Sequence, residues 1–441
     1  MSQQHNSSFF ISNSSLAKLA QLYRSGRLSQ SLLWLACLAG VVGLLASRAL
    51  VALSPAAAVL AVLLNPDWRA GWRHYWRNGA ARRAALLYIL LLVSGLYTSE
   101  WDVWRHEAYR LLPWLAVPLA FTAAVPLSAR QRLSVGSLFV LGAALVAAAT
   151  LAKYLLHPAA ANESLRVGQS MWAVTKIFHI HFGIMLVLAF FGAIWLRQEP
   201  LVAPWLRWLL ALAAAVVLLT LHVLAYRTGL LVLYAVLLLE ALRLLFRGRH
   251  GRRRWWLGLG LLLGLAGAPW LAYQALPSIR ARVGATEHDL IQFRQGRDIN
   301  HYSLSRRLAA WETALVVAGE NPWLGVGLAD TRAAMMRQYD WRGYGLTFQN
   351  RAMIHNQYLH FLVGGGALGL GLWLLLLGRP LAQPAARRNP YIRTFLLTMA
   401  VAMLVDSLLE VQIGYNLFVF GYGFLVVAAE RQRPFRQSAR A

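Results

Sequence analysis

The residues best suited to acid–base chemistry lie where the one long polar segment of the chain meets an apolar run. His355 and Asn356 stand at this boundary, and His360 follows one turn later. Ionisable groups at the mouth of a membrane helix are costly and commonly point into a cavity. His355 can act as a general base, because the unperturbed pKa of histidine is roughly 6.5. Alternatively, His355 and Asn356 only cap the helix. His360 lies on another helix face and is predicted to be structural.

Two arginines are candidates for binding phosphate. Arg227 occupies a tight turn between two apolar runs, and Arg307 lies in a predicted amphipathic helix. One guanidinium group can donate two parallel hydrogen bonds to phosphate oxygens. Two arginines could therefore hold a diphosphate without metal. Each could instead anchor in lipid headgroups. Asp406 and Glu410 are predicted to share a helix face and to pair with an arginine of the long loop.

Composition predicts an all-α polytopic membrane protein, because 58% of residues are hydrophobic, 14% are charged and the mean hydropathy is +0.49. About twelve transmembrane helices are predicted, at 31–47, 49–65, 84–99, 111–125, 133–156, 180–196, 208–226, 228–246, 256–273, 355–378, 394–410 and 417–430. The predicted organisation is a cytoplasmic N-terminal tail (1–30), transmembrane helices 1–9 (31–273), a periplasmic lid loop (274–354), transmembrane helices 10–12 (355–430) and a cytoplasmic tail (431–441). The single cysteine, Cys37, excludes a disulfide within the chain.

Basic residues set the predicted orientation. With a cytoplasmic N-terminus, 26 of the 43 lysine and arginine residues fall on the cytoplasmic side with only four acids. The cytoplasmic net charge is then +22 and the periplasmic net charge +4, as the positive-inside rule demands. The overall charge of +26 therefore indicates topology and contact with anionic lipid, not nucleic acid binding.

The lid loop is predicted to be a folded, partly helical segment. Ser303–Glu320 has helical periodicity, Asn321 and Pro322 end it, and a second helix is predicted from near Asp330 to Tyr339. The apolar stripe expected to lie on the membrane domain comprises Leu304, Leu308, Trp311, Leu315 and Ala318.

The spacing after the histidine resembles a family signature. His355-Asn356, nine residues, Gly366, two residues and Gly369 is similar to the signature of bacterial O-antigen ligases and the related polymerases. The similarity extends from about 84 to 430, through Arg110–Trp114, Tyr226–Gly229, Arg307–Trp311, Asn321–Gly327 and Asp406–Gly414.

The resemblance implies a metal-independent, inverting membrane glycosyltransferase of the GT-C type that uses no cofactor. It would transfer a preassembled glycan from undecaprenyl diphosphate to lipid A-core at the periplasmic face of the bacterial inner membrane. Arg227 and Arg307 would hold the diphosphate, and His355 would activate the acceptor hydroxyl. Residues expected to support them are Asn356, Arg306, Lys176, His179, His181 and Glu410.

Other functions suit the same sequence. An O-antigen or exopolysaccharide polymerase would use another lipid-linked repeat unit as acceptor. A secondary transporter could bind an anionic solute at the periplasmic arginines, but the chain shows neither repeated halves nor a midplane charge cluster. A structural subunit would explain the spans but not the polar residues around His355.

The topology is testable by cysteine labelling. The charge asymmetry predicts that an impermeant thiol reagent labels Gln295→Cys, in the lid loop, in intact cells and labels Gly251→Cys only after lysis. Labelling of Gly251→Cys in intact cells would contradict this orientation.

Overall fold

A computed structural model describes residues 13–159, 162–163, 170–246, 252–351 and 353–431. These residues form helices and no strand, so the prediction of an all-α fold is confirmed. Residues 1–12 and 432–441 of the predicted terminal tails lie outside the described residues, as do residues 247–251 of the basic loop.

The helices are numbered here in chain order. They are α1 (Asn13–Arg24), α2 (Arg27–Ala46), α3 (Arg48–Leu63), α4 (Trp68–Arg77), α5 (Gly79–Ser94), α6 (Trp101–Arg110), α7 (Pro113–Ala123), α8 (Ala129–Leu156), α9 (His179–Leu196) and α10 (Pro204–Val223). They continue with α11 (Arg227–Phe246), α12 (Arg252–Ala275), α13 (Pro277–Arg294), α14 (Ser303–Glu320), α15 (Thr331–Trp341), α16 (Gln357–Ala382), α17 (Pro384–Arg388), α18 (Pro390–Val405) and α19 (Gln412–Arg431), the last with a π-helical stretch at Tyr422–Val427.

Eight of the described helices are long and apolar enough to cross a membrane: α2, α8, α9, α10, α11, α12, α16 and α19. The other four predicted spans fall on the shorter helices α3, α5, α7 and α18. A 16-residue helix is about 24 Å long, which is less than the roughly 30 Å hydrocarbon core of a bilayer. The structure is that of an integral membrane protein built from long and short apolar helices.

Helix α9 lies at the centre of the bundle and is the most deeply buried of the eight. It packs against α8, α10, α11 and α18. Gly183 of α9 meets Gly229 of α11, where a Cβ on Gly229 would lie 3.1 Å from the Cα of Gly183. Two glycines at this crossing bring the start of α9 close to Arg227 at the start of α11.

The lid loop is folded, with α13, α14 and α15 as its helices. The predicted bounds of α14 are correct, and α15 begins one residue after Asp330. The predicted apolar stripe of α14 is correct only in part, because Ala318 is buried but Leu315 is 55% exposed. The buried residues of α14 are mostly small, namely Ser305, Ala309, Ala310, Thr313, Ala314, Val317 and Ala318. Small side chains allow α14 to lie close against α16, where leucines would hold it away.

Helix α16 is broken at Gly366, which has φ 59° and ψ −157°. The break frees backbone groups that bond instead to the segment Pro322–Gly327 of the lid loop. Val326 N–H donates to Val363 C=O (2.9 Å) and Gly327 N–H to Gly364 C=O (3.0 Å). Ala367 N–H donates to Pro322 C=O (2.7 Å) and Leu368 N–H to Trp323 C=O (3.2 Å). Non-helical backbone is tolerated in a membrane helix where protein satisfies its polar groups, so the lid and α16 form one unit.

The break predicts that alanine substitution has very different effects on stability at two glycines of α16. A Cβ at Gly366 would collide with the backbone of Trp323, and its φ and ψ suit glycine alone, whereas Gly371 has open space around it. Gly366→Ala should destabilise the protein by at least about 1–3 kcal/mol of strain. Gly371→Ala should be neutral or stabilising by up to about 1 kcal/mol. Thermal unfolding of both variants in detergent measures the difference, and equal melting temperatures would contradict the broken helix.

Candidate active site

The predicted span 355–378 begins at His355, but the structure places His355 on the loop immediately before α16. The cap of α16 is Asn356, whose side-chain oxygen accepts from Tyr358 N–H (3.0 Å) and Leu359 N–H (3.1 Å). His355 has φ 50°, a left-handed conformation that is uncommon for residues other than glycine. Of the two alternatives for this stretch, capping is therefore performed by Asn356 alone, and His355 is held out of the helix.

The side chain of His355 is oriented by Asp406. His355 Nδ1 lies 2.9 Å from Asp406 Oδ1, and Asp406 is 7% exposed while the His355 side chain is 36% exposed. A carboxylate only accepts hydrogen bonds, so it places the proton on Nδ1 and leaves the lone pair on Nε2. None of the described residues hydrogen-bonds to Nε2. The accessible nitrogen is therefore the basic one.

Burial and nearby charge act in opposite directions on Asp406. Burial alone would raise the pKa of its carboxyl, but the hydrogen bond from His355 and the positive charge of Arg307 outweigh this effect. The net result is a lowered pKa, so Asp406 stays ionised at neutral pH. An ionised Asp406 stabilises the imidazolium that forms when Nε2 takes up a proton.

The loop before α16 is bonded to the segment after α18 along its length. Asn356 N–H donates to Ser407 Oγ (3.0 Å), and Leu409 N–H donates to the buried Gln357 side chain (2.9 Å). Each of these contacts joins residues about fifty positions apart in the chain. Together they fix the orientation of the histidine–aspartate pair.

Asp406 and Glu410 do not share a helix face, so that prediction is wrong. Helix α18 ends at Val405, and Glu410 belongs to a short 3-10 turn, Leu408–Glu410. Glu410 lies 3.1 Å from His360 Nε2 and 3.9 Å from Arg110, which is not in the lid loop. The two acids diverge because the chain leaves the helix between them.

The lid places Arg307 and Arg306 differently. Arg307 donates to the carbonyl of Val405 (2.9 Å) and lies close enough to Asp406 for their charges to interact. Arg306 donates to Asn350 (2.9 Å), within the lid loop. Burial, and next the charge of Arg306, lower the pKa of Arg307, while Asp406 opposes the shift. Of the two adjacent arginines, Arg307 belongs to the cluster around His355.

Arg227, the first residue of α11, also belongs to the positive cluster. Its guanidinium donates to Thr286 (3.2 Å) and lies 3.9 Å from Asp289 of α13. Its charge also interacts with that of Arg307. The structure therefore brings Arg227 and Arg307 to the same end of the bundle, although eighty residues separate them.

A third arginine in the cluster was not predicted. Arg282 of α13 is 4% exposed and hydrogen-bonds to Ser170. Burial and the charge of Arg227 lower the pKa of Arg282 to about 9, against the opposing effect of Asp289. Burial is the larger cause of this shift and repulsion from Arg227 the smaller, and a bound anion would oppose both. Arg282 lacks any sequence pattern that sets it apart from the other arginines of the loop.

The histidines at the start of α9 also face this cluster. His179 interacts electrostatically with Arg282, Arg307 and Asp406. His181 is 3% exposed and packs against Gly414. His179 Nδ1 and His181 Nε2 are buried with no hydrogen-bond partner among the described residues. Buried polar atoms are nearly always bonded, so these two atoms are available to a polar ligand or to water.

Lys176 is exposed in the turn before α9, with a left-handed φ of 60°. No described contact joins it to the cluster. His360 is buried against Glu410, in keeping with the structural role predicted for it.

The arrangement combines a base, an orienting acid and a positive cluster beneath a helical lid. Within the described residues, no group of three or more histidine, cysteine or acidic side chains could hold a metal ion. The positive charge described near the His355–Asp406 pair is that of Arg307. Such a site can bind a diphosphate and deprotonate a hydroxyl beside it.

Fold and site together define an integral membrane protein with a histidine–aspartate pair and a group of arginines at one end of its helix bundle. Residues 223–374 match the family described as O-Antigen ligase. The matched segment includes Arg227, the whole lid loop and His355, while Asp406 lies beyond it. The match supports membership of the O-antigen ligase superfamily of ligase- and polymerase-type glycosyltransferases, so the resemblance is confirmed over residues 223–374. No curated protein matches the chain.

The arginine cluster predicts diphosphate binding that depends on guanidinium geometry. Lysine keeps the charge of Arg227 and Arg307 but lacks the planar two-donor fork. Arg227→Lys and Arg307→Lys should each weaken the binding of inorganic pyrophosphate about tenfold, equivalent to about 1.4 kcal/mol. Isothermal titration of the purified protein measures this, with Arg306→Lys as the matched control. If alanine variants at both positions bind pyrophosphate as the unaltered protein does, the phosphate site lies elsewhere.

Proposed function

We propose that the protein transfers a preassembled glycan from undecaprenyl diphosphate to lipid A-core, as an O-antigen ligase acting at the periplasmic face of the inner membrane. The observation that carries the proposal is the His355–Asp406 pair beside Arg307. It places a base with an accessible Nε2 next to a buried arginine whose positive charge suits the diphosphate of the donor. The superfamily match supports a glycan transfer reaction at this site.

In the proposed reaction, the oxygen of the acceptor hydroxyl attacks the anomeric carbon of the donor. Nε2 of His355 takes up the proton of that hydroxyl as the attack proceeds. The bond between the anomeric carbon and the diphosphate breaks, and undecaprenyl diphosphate leaves with the electron pair. In-line attack inverts the anomeric centre. Asp406 stabilises the imidazolium of His355 through the 2.9 Å hydrogen bond at Nδ1.

The arginines act on the leaving group. Arg227 and Arg307 are fixed before the donor binds, Arg227 by Thr286 and Arg307 by the carbonyl of Val405. Preorganised cations in a site with little water stabilise developing charge without reorganisation. Arg282 adds a third positive charge to this group. Transfer without a divalent metal remains a prediction, and arginine supplies the charge that a metal would otherwise provide.

The role of His355 is tested by comparing two histidines of the same segment. His355→Ala should retain donor binding, because the arginines hold the diphosphate, and should lose roughly 10²–10⁴-fold in single-turnover transfer. His360→Ala, paired with Glu410 away from the cluster, should lose much less. Asp406→Asn should also lose transfer, because the amide can favour the wrong tautomer. Reactions run in excess EDTA and are normalised to folded protein.

Three results would contradict the proposal. Near-normal transfer by His355→Ala would show that His355 is not the base. Activity that is lost in EDTA and returns with magnesium or manganese shows that arginine alone is insufficient. Lipopolysaccharide from a deletion strain separates ligase from polymerase, since a ligase defect leaves the core uncapped, whereas a polymerase defect leaves it capped by one repeat unit.

A further inference from the structure

A second candidate binding site lies at the opposite end of the bundle from His355. A cavity of about 380 Å³ is lined by the start of α8, the end of α9, the start of α18 and the later part of α19. Helices α9 and α18 each have one end at the candidate active site and the other at this cavity. The two sites are therefore separated by the length of a helix, which for sixteen residues is about 24 Å.

The cavity is apolar along most of its wall and charged at one end. Its apolar lining includes Leu133, Phe139, Leu188, Phe395, Phe420 and Phe424. Arg132 and Glu199 also line it, together with Asn389 and Tyr391. These four polar residues lie at or beside helix ends, where a membrane protein meets the lipid headgroups. A ligand for this cavity must have a hydrocarbon body and a polar head.

The two charged side chains that line the cavity indicate the chemistry of the ligand's polar head. Arg132 donates to the carbonyl of Leu127 (2.7 Å), and Glu199 accepts from the hydroxyl of Tyr391 (2.8 Å). Neither forms an ion pair with any described residue. A positive and a negative side chain without ion-pair partners, lining one cavity, match a head that carries both charges. A phosphate would lie against Arg132 and an ammonium group against Glu199.

We propose that this cavity binds one acyl chain of a glycerophospholipid with a zwitterionic, amine-bearing headgroup. The volume falls within the 300–1,000 Å³ range of small-molecule sites. A polyprenyl diphosphate fits the charges poorly, because Glu199 would repel a head that carries only negative charge. The proposal is independent of the transfer reaction. A bound lipid would pack together α9 and α18, the helices that lead to His179, His181 and Asp406.

The experiment uses the full-length protein, stripped of lipid in detergent and titrated with defined lipids. The probes are dioleoyl phosphatidylethanolamine, dioleoyl phosphatidylglycerol, which lacks the ammonium group, and undecaprenyl phosphate. Native mass spectrometry measures the bound fraction, and the melting temperature reports stabilisation. The unaltered protein should bind the ethanolamine lipid about tenfold more tightly than the glycerol lipid, equivalent to about 1.4 kcal/mol.

Variants test whether the preference for the ethanolamine lipid arises from this cavity. Glu199→Gln should reduce the preference for the ethanolamine lipid to twofold or less, and Arg132→Gln should weaken both phospholipids. Arg130→Gln is the matched control, because Arg130 is exposed and does not line the cavity. Asp102→Asn, an exposed acid near the other end, is the control for Glu199.

The outcomes that overturn the proposal are distinct. Equal affinity of the unaltered protein for the two phospholipids removes the role of the ammonium group, even if no variant can be purified. Tighter binding of undecaprenyl phosphate than of either phospholipid assigns the cavity to a polyprenyl chain. An unchanged preference in folded Glu199→Gln places the lipid site elsewhere.

Discussion

The exchange of backbone hydrogen bonds between the broken helix α16 and Pro322–Gly327 is the constraint on which the His355 end of the molecule depends. A helix interrupted at Gly366 would leave amide and carbonyl groups unpaired at membrane depth, and each would cost several kcal/mol. The lid loop supplies their partners. Because α14 immediately precedes this segment and His355 precedes α16, the same contacts fix both Arg307 and the histidine.

The arrangement of charges follows from the cost of burying them. Asp406 is buried, and the imidazole of His355 and the guanidinium of Arg307 compensate its charge. On the other side, Asp289 lies near both Arg227 and Arg282. Under the proposed function, these two arginines would lie close to the diphosphate of the donor.

The bundle thus has chemically different ends joined by the same helices. At one end α9 and α18 bring histidines and an aspartate to the arginine cluster, and at the other they enclose an apolar cavity with a charged rim. A ligand in that cavity would contact the helices that position the active site. Binding there can influence transfer only to the extent that it changes how these two helices pack.

The sequence by itself determined the all-α membrane class, the helix Ser303–Glu320 and the candidates His355, Arg227 and Arg307. These depend on hydropathy, local periodicity and residue chemistry, which a single segment displays. Only the tertiary structure decided that Asp406 orients His355, that Arg307 rather than Arg306 faces it, that Arg282 joins the cluster and that α14 packs through small residues. Each of these depends on what a segment distant in the chain places opposite the residue, and the free energy of burying a charge or a side chain is set by that neighbour.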